Sequence, residues 1–156
     1  MKKSVKNLII AVIIPLGVGV LSGLLSRSSV GEFESAVKPP LYPPEWLFPV
    51  VWTALYILMG VASYLVYTSD AARSKVNCGL SLYFTQLALN FFWPIIFFVL
   101  SAYLFSFIWL VIMWVLIVFT TVCFFRVRAL AGFLMIPYLA WVTFAGYLNL
   151  AVYIVS

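Results

Sequence analysis

From Val76 to Phe125 the chain carries no charged side chain. A run of that length cannot build a water-facing surface, and it exceeds twice the roughly 20 apolar residues that cross a bilayer. It therefore reads as two membrane spans joined by a tight turn. Ser101-Ala102-Tyr103 is the least apolar point near its middle and is the expected turn. Pro94 is the rival breakpoint, but a cut there leaves unequal halves, and proline kinks are tolerated in membrane helices. The rest of the chain agrees, since 66% of all residues are hydrophobic and 8% are charged, against about 25% charged in a soluble domain.

The same reading places further spans on either side. Segments 5–26, 45–68, 76–100, 104–125 and 130–155 each suit one helix, so the expected fold class is an all-α membrane protein, a single domain of five transmembrane helices. A β-barrel is not expected, because ten-residue alternating segments are missing. The first segment follows Lys2, Lys3 and Lys6 and superficially resembles a signal peptide. Its apolar stretch, Leu8 to Leu25, is longer than a signal core of roughly 7–15 residues, so it is expected to remain as a helix. Loop 27–44 holds Pro39, Pro40, Pro43 and Pro44, and its end from Lys38 to Pro44 should be stiff and extended. Pro44 is expected in the first turn of the second helix.

Charge then orients the bundle. Lys2, Lys3, Lys6, Arg73, Lys75, Arg126 and Arg128 share one side, seven of the nine basic residues, against Arg27 and Lys38 on the other. The positive-inside rule places the N-terminus in the cytoplasm. The basic clusters are a topology signal rather than a nucleic-acid footprint, and no nucleic-acid partner is expected. Cys78 and Cys123 are too few for a disulfide scaffold and are expected as free thiols near the cytoplasmic face, while the absence of histidine removes the commonest metal and haem ligand. No metal site is expected, and no cofactor is required.

Within the spans, aromatic and amide residues recur at helical spacing. Trp52, Tyr56, Gly60 and Ser63 form one face of the second helix, and Tyr83, Gln86, Asn90, Trp93 and Phe97 one face of the third. Tyr138, Trp141, Ala145 and Asn149 line the fifth, and Pro15, Gly19, Gly23 and Ser26 the first. The glycines read primarily as close-packing positions, and the amides as interhelical hydrogen-bonding groups. Turned inward together, these faces would wall an aromatic pocket with few polar anchors. The carboxylates Glu32, Glu34, Glu45 and Asp70 all fall outside span interiors, so no acid–base pair is visible.

Three motifs carry a family resemblance. Lys38-Pro39-Pro40-Leu41-Tyr42-Pro43-Pro44-Glu45-Trp46, followed by Val51-Trp52-Thr53-Ala54-Leu55-Tyr56-Ile57-Leu58-Met59-Gly60, resembles the first loop and second helix of the translocator protein (TspO) family. Gln86-Leu87-Ala88-Leu89-Asn90-Phe91-Phe92-Trp93-Pro94 resembles its third helix, and Pro137-Tyr138-Leu139-Ala140-Trp141-Val142-Thr143-Phe144-Ala145 with Leu148-Asn149 its fifth. The resemblance implies a five-helix bundle in a bacterial cell membrane, commonly a homodimer, whose pocket beneath the first loop binds porphyrins, haem or synthetic aromatic ligands. Gly23, Tyr56, Asn90, Trp93, Tyr138, Ala145 and Leu148 match pocket positions. Trp52 and Trp141 match the tryptophans linked in some members to light-dependent porphyrin breakdown, and are the catalytic pair that the resemblance implies. A passive tetrapyrrole transporter is the other implied role. The sequence departs from the family at Leu41 and Trp109, and at Phe105, which stands where a pocket tryptophan is common. Tyr153 is not followed by Lys or Arg, so the sterol-associated pattern is incomplete.

Overall fold

The computed structural model describes residues 4–34 and 39–156; Lys2, Lys3 and Lys38 lie outside them. Five helices fill most of the described chain: α1 Val5–Glu34, α2 Leu47–Tyr67, α3 Arg73–Pro94, α4 Tyr103–Val127 and α5 Ala129–Val155. All five are long and apolar enough to span a membrane, as expected. Among the described residues no charged side chain is buried. The lipid-facing surface is instead aliphatic, with Ile9, Ile13, Leu21, Leu24 and Leu25 of α1 all exposed.

Two boundaries differ from the sequence reading, for different reasons. α1 does not end at Ser26 but continues to Glu34. A hydropathy drop marks where a helix leaves hydrocarbon, not where its hydrogen bonds stop, and no proline interrupts the chain between Ser26 and Pro39. At 1.5 Å per residue, its 30 residues reach about 45 Å, well beyond the hydrocarbon core. α2 begins at Leu47, with the Pro44 carbonyl accepting a 3.1 Å hydrogen bond from the Leu47 N–H. That register puts Pro49, rather than Pro44, in the first turn, where a missing N–H costs nothing.

The loop end is not extended throughout either. Leu41 adopts φ 65°, and the chain turns at Pro40–Leu41. The Tyr147 hydroxyl donates to the Pro40 carbonyl at 2.8 Å and ties this turn to α5.

Between α3 and α4 the expected turn is found. The chain passes through Pro94 without breaking and widens into a π-helical turn, Ile95–Val99, closed by Leu100 N–H to Ile95 C=O at 3.0 Å. Proline's missing N–H withdraws the helical donor for the Asn90 carbonyl, and π-turns absorb such interruptions inside helices. Ser101, at φ 50°, then reverses the chain into α4.

The helices close in a ring that does not follow chain order: α1 packs on α2, α2 on α5, α5 on α4, α4 on α3, and α3 back on α1. Gly60 permits a backbone-to-backbone approach of α2 to α1. A Cβ there would stand 2.5 Å from the Val12 Cα and 2.7 Å from the Ala11 carbonyl oxygen, both backbone atoms that cannot yield. Gly19 also packs as expected, because a Cβ would collide with the Tyr56 ring. Gly23 does not, since a Cβ added there would meet nothing within 4 Å.

These environments give opposite expectations for two glycine substitutions. Gly60→Val should force α1 off α2 and cost about 1–3 kcal/mol, the usual range for overpacking. Gly23→Ala should leave the thermal unfolding midpoint in detergent unchanged. Equal midpoints for the two variants would contradict the packing described.

Candidate functional site

Half of the ring is filled solid. Met59, Ala62, Val66, Val76, Tyr83, Ile117, Phe124, Ala131 and Met135 pack together at the end that carries the basic residues. Toward the first loop the helices instead enclose a cavity of about 700 Å³, inside the roughly 300–1,000 Å³ range of small-molecule sites.

The floor of the cavity is a chain of hydrogen bonds through three helices. The Tyr56 hydroxyl donates to Asn90 Oδ1 at 2.7 Å, and Asn90 Nδ2 donates to the Tyr138 hydroxyl at 2.9 Å. The Tyr138 hydroxyl donates in turn to Gln86 Oε1 at 2.6 Å, and Gln86 Nε2 to the Tyr83 carbonyl at 2.9 Å. Each group uses its donor once and in one direction, so α2, α3 and α5 are held by a consistent set rather than by isolated contacts. Asn149 organises a second set. It accepts from Trp93 Nε1 at 3.0 Å and Ser106 Oγ at 3.1 Å, and donates to the Tyr103 carbonyl at 2.8 Å. The Ser22 hydroxyl, donating to the Phe91 carbonyl at 2.7 Å, anchors α1 to α3.

Aromatic rings supply the walls. Trp52 stacks on Tyr56 with centroids 5.5 Å apart, Trp93 stacks on Phe97 at 5.0 Å, and Trp141 meets Phe48 edge-on at 5.9 Å. Tyr42 of the loop packs on Phe48 at 5.6 Å and extends the wall toward the mouth. Arg27 and Glu45 are the charged residues of the lining, and both are exposed. The Trp141 indole N–H is buried without a hydrogen-bond partner.

Of the residues singled out in the sequence, Gly23, Trp52, Tyr56, Asn90, Trp93, Trp141, Ala145 and Leu148 all line this cavity. Tyr138 lies beneath it, fully buried in the floor network. Phe105 is a correction: it is half-exposed on the outer surface of α4, 6.1 Å from the Trp109 ring. Ser106, Leu110 and Met113 occupy the inward face, and a neighbour of Ser106 lies about 100° around the helix from it. Trp109, the other departure on α4, donates its indole N–H to the Leu89 carbonyl at 2.9 Å and so fastens α4 to α3.

Sequence reasoning missed Ser22, Phe48 and Phe98, which also line the cavity. Ser22 shares a helical stripe with Ser26 and was detectable by spacing. Phe48 and Phe98 sit at helix ends, where the register was not fixed in advance.

Replacing the floor's central amide tests its weight. Asn90→Leu removes two interhelical hydrogen bonds at about 0.6 kcal/mol each and leaves the Tyr56 hydroxyl without its acceptor, so a loss of about 1–2 kcal/mol is expected. Trp109→Phe, which removes one bond, should cost less. Reversible unfolding in mixed micelles measures both.

Known proteins share this architecture's sequence. The family model described as the TspO/MBR family matches residues 11–154. The tryptophan-rich protein TspO of Chlorobaculum tepidum is 37% identical over 97% of both chains. Protein CrtK of Rhodobacter capsulatus is 38% identical over 78% of this chain and 76% of its own. The human translocator protein is 36% identical over 88% of this chain and 82% of its own.

Proposed function

This chain belongs to the TspO/MBR family of integral membrane proteins, and from that premise we propose that its cavity binds a flat, hydrophobic aromatic ligand of the porphyrin or tetrapyrrole type. The observation that carries the reading is the lining itself: three tryptophans from three helices, Trp52, Trp93 and Trp141, face one enclosed space. Ring faces favour offset or edge-on aromatic partners, worth about 0.5–1.5 kcal/mol per pair beyond area burial. Arg27 at the mouth suits a propionate-type carboxylate; Lys38, the other candidate from the sequence, lies outside the described residues. With no histidine to serve as an axial ligand, a haem would be recognised by shape and stacking rather than through iron.

The role that follows is ligand sensing, trafficking or disposal, by a homodimer in a bacterial cell membrane. Lys6, Arg73, Lys75, Arg126 and Arg128 lie at the end opposite the cavity mouth, which supports a cytoplasmic N-terminus and a mouth on the far side. Passive transfer of the ligand across the bilayer would require the packed half of the bundle to open, so binding is the preferred reading.

A light- or oxygen-dependent reaction is the second reading. It is favoured by the exposure of both Trp52 and Trp141 to the same cavity, where an excited pigment would meet two oxidisable indoles.

Titration with protoporphyrin, followed by pigment absorbance and tryptophan quenching, tests the binding reading. Saturable binding is expected for the wild type, with at least a roughly tenfold weaker Kd, about 1.4 kcal/mol, for Trp52→Phe/Trp141→Phe and loss of binding for the cavity-filling Gly23→Leu. Unchanged affinity and stoichiometry in all variants would overturn the assignment. For the second reading, illumination of the complex should bleach the bound pigment in the wild type and spare it in the double variant.

A further inference from the structure

The two cysteines lie far from the cavity, in the packed half of the bundle. Cys78 is near the start of α3 and Cys123 near the end of α4, two helices that pack side by side after the Ser101 reversal. At this level α3 presents Gly79 to α4, and the absent side chain lets the backbones draw together. An ideal Cβ on Gly79 would stand 3.6 Å from the Cys123 Cβ and 3.3 Å from the Phe124 ring. Cys78, one residue before Gly79 on the same turn of α3, is a neighbour of the Cys123 thiol. The two differ in access, with Cys78 exposed and Cys123 half-buried.

Depth matters as much as proximity. Cys78 follows Arg73 and Lys75, and Cys123 precedes Arg126 and Arg128, so each thiol is within two helical turns of a charged helix end. At 1.5 Å per residue that is about 8 Å or less along the axis. The pair therefore sits near the membrane–water boundary, where a small polar oxidant can reach it.

We propose that Cys78 and Cys123 form an oxidisable dithiol that closes to an intramolecular disulfide between α3 and α4 on exposure to a hydroperoxide. The exposed Cys78 reacts first: its thiolate sulfur attacks the peroxide, the O–O bond breaks, and Cys78 becomes a sulfenic acid with loss of one water when hydrogen peroxide is the oxidant. The Cys123 thiolate then attacks the Cys78 sulfur. The S–S bond forms, the S–O bond breaks, and the hydroxyl leaves as a second water with the thiol proton. Two electrons pass from the thiols to the peroxide, so two thiols and one hydrogen peroxide give one disulfide and two waters. A thiol reductant reverses the change. The closed form pins the lower end of α3, the helix that carries Asn90 and Trp93 into the cavity, to α4.

Purified protein in lipid nanodiscs, titrated with hydrogen peroxide and analysed by non-reducing intact mass and peptide mapping, tests this inference without any cavity ligand. The wild type should lose about 2 Da, stay monomeric on a denaturing non-reducing gel, and yield a Cys78–Cys123 cross-linked peptide. Its thermal midpoint should rise on oxidation and return with dithiothreitol. Cys78→Ser and Cys123→Ser should each fail to lose that mass, and Cys123→Ser should gain oxygen adducts at Cys78. Oxygen adducts or intermolecular disulfides in the wild type in place of the internal cross-link would overturn the proposal. Cys78 and Cys123 that both remain free thiols throughout the titration would overturn it too.

Discussion

In hydrocarbon a polar side chain has no water to fall back on, so Asn90 must find its partners on neighbouring helices. It does so on two of them, accepting from Tyr56 of α2 and donating to Tyr138 of α5. That requirement sets the rotation of α2, α3 and α5 about their own axes at one common level. Once their rotations are set, Trp52, Trp93 and Trp141, each one helical turn from a member of the network, are carried to the same side of it. The cavity floor and the cavity wall are consequences of one set of hydrogen bonds. The individual bonds are weak; their shared direction, with each donor meeting one acceptor, is what makes the arrangement specific.

Glycine placement decides where the bundle is solid and where it is hollow. Gly60 brings α1 backbone-to-backbone against α2, and Gly19 makes room for the Tyr56 ring. One turn further on, Gly23 faces open space in the cavity instead. The three positions lack the same Cβ with different results, because a missing side chain closes a gap only when a neighbour is there to move in. At the opposite end Gly79 and Gly132 again admit close neighbours, Phe124 and Phe125, and that half of the bundle is packed.

The chemistry available to the cavity follows from what its walls omit. Its carboxylate and its guanidinium, Glu45 and Arg27, are at the mouth, and the interior offers indoles, phenols and two amides. Such a surface discriminates by shape and ring stacking, and by a small number of directed donors. The TspO/MBR family match over residues 11–154 takes in part or all of every helix that builds this wall. The loop that roofs the mouth is held by Tyr147 and Tyr42, through a hydrogen bond and a ring contact respectively.

The uncharged run and the aromatic stripes made the fold class, the five spans and the inward faces of α2, α3 and α5 legible, because both depend on local periodicity and on exclusion of charge from hydrocarbon. Even so, hydropathy misjudged the end of α1, since it senses the bilayer and not the helix. Phe48 lies one turn before Trp52 on the same stripe but outside the run that was read as inward-facing, and a family match carried Phe105 to a wall that Leu110 and Met113 occupy. By itself, then, the sequence determined that five helices cross the membrane and which faces of α2, α3 and α5 turn away from lipid. The tertiary structure alone decided that the helices close in the order α1, α2, α5, α4, α3, that Gly23 borders a void while Gly19 is packed, and that Gly79 of α3 stands against Cys123 of α4. Those outcomes depend on contacts between residues distant in the chain, and periodicity within a single helix contains no information about which helix will stand opposite.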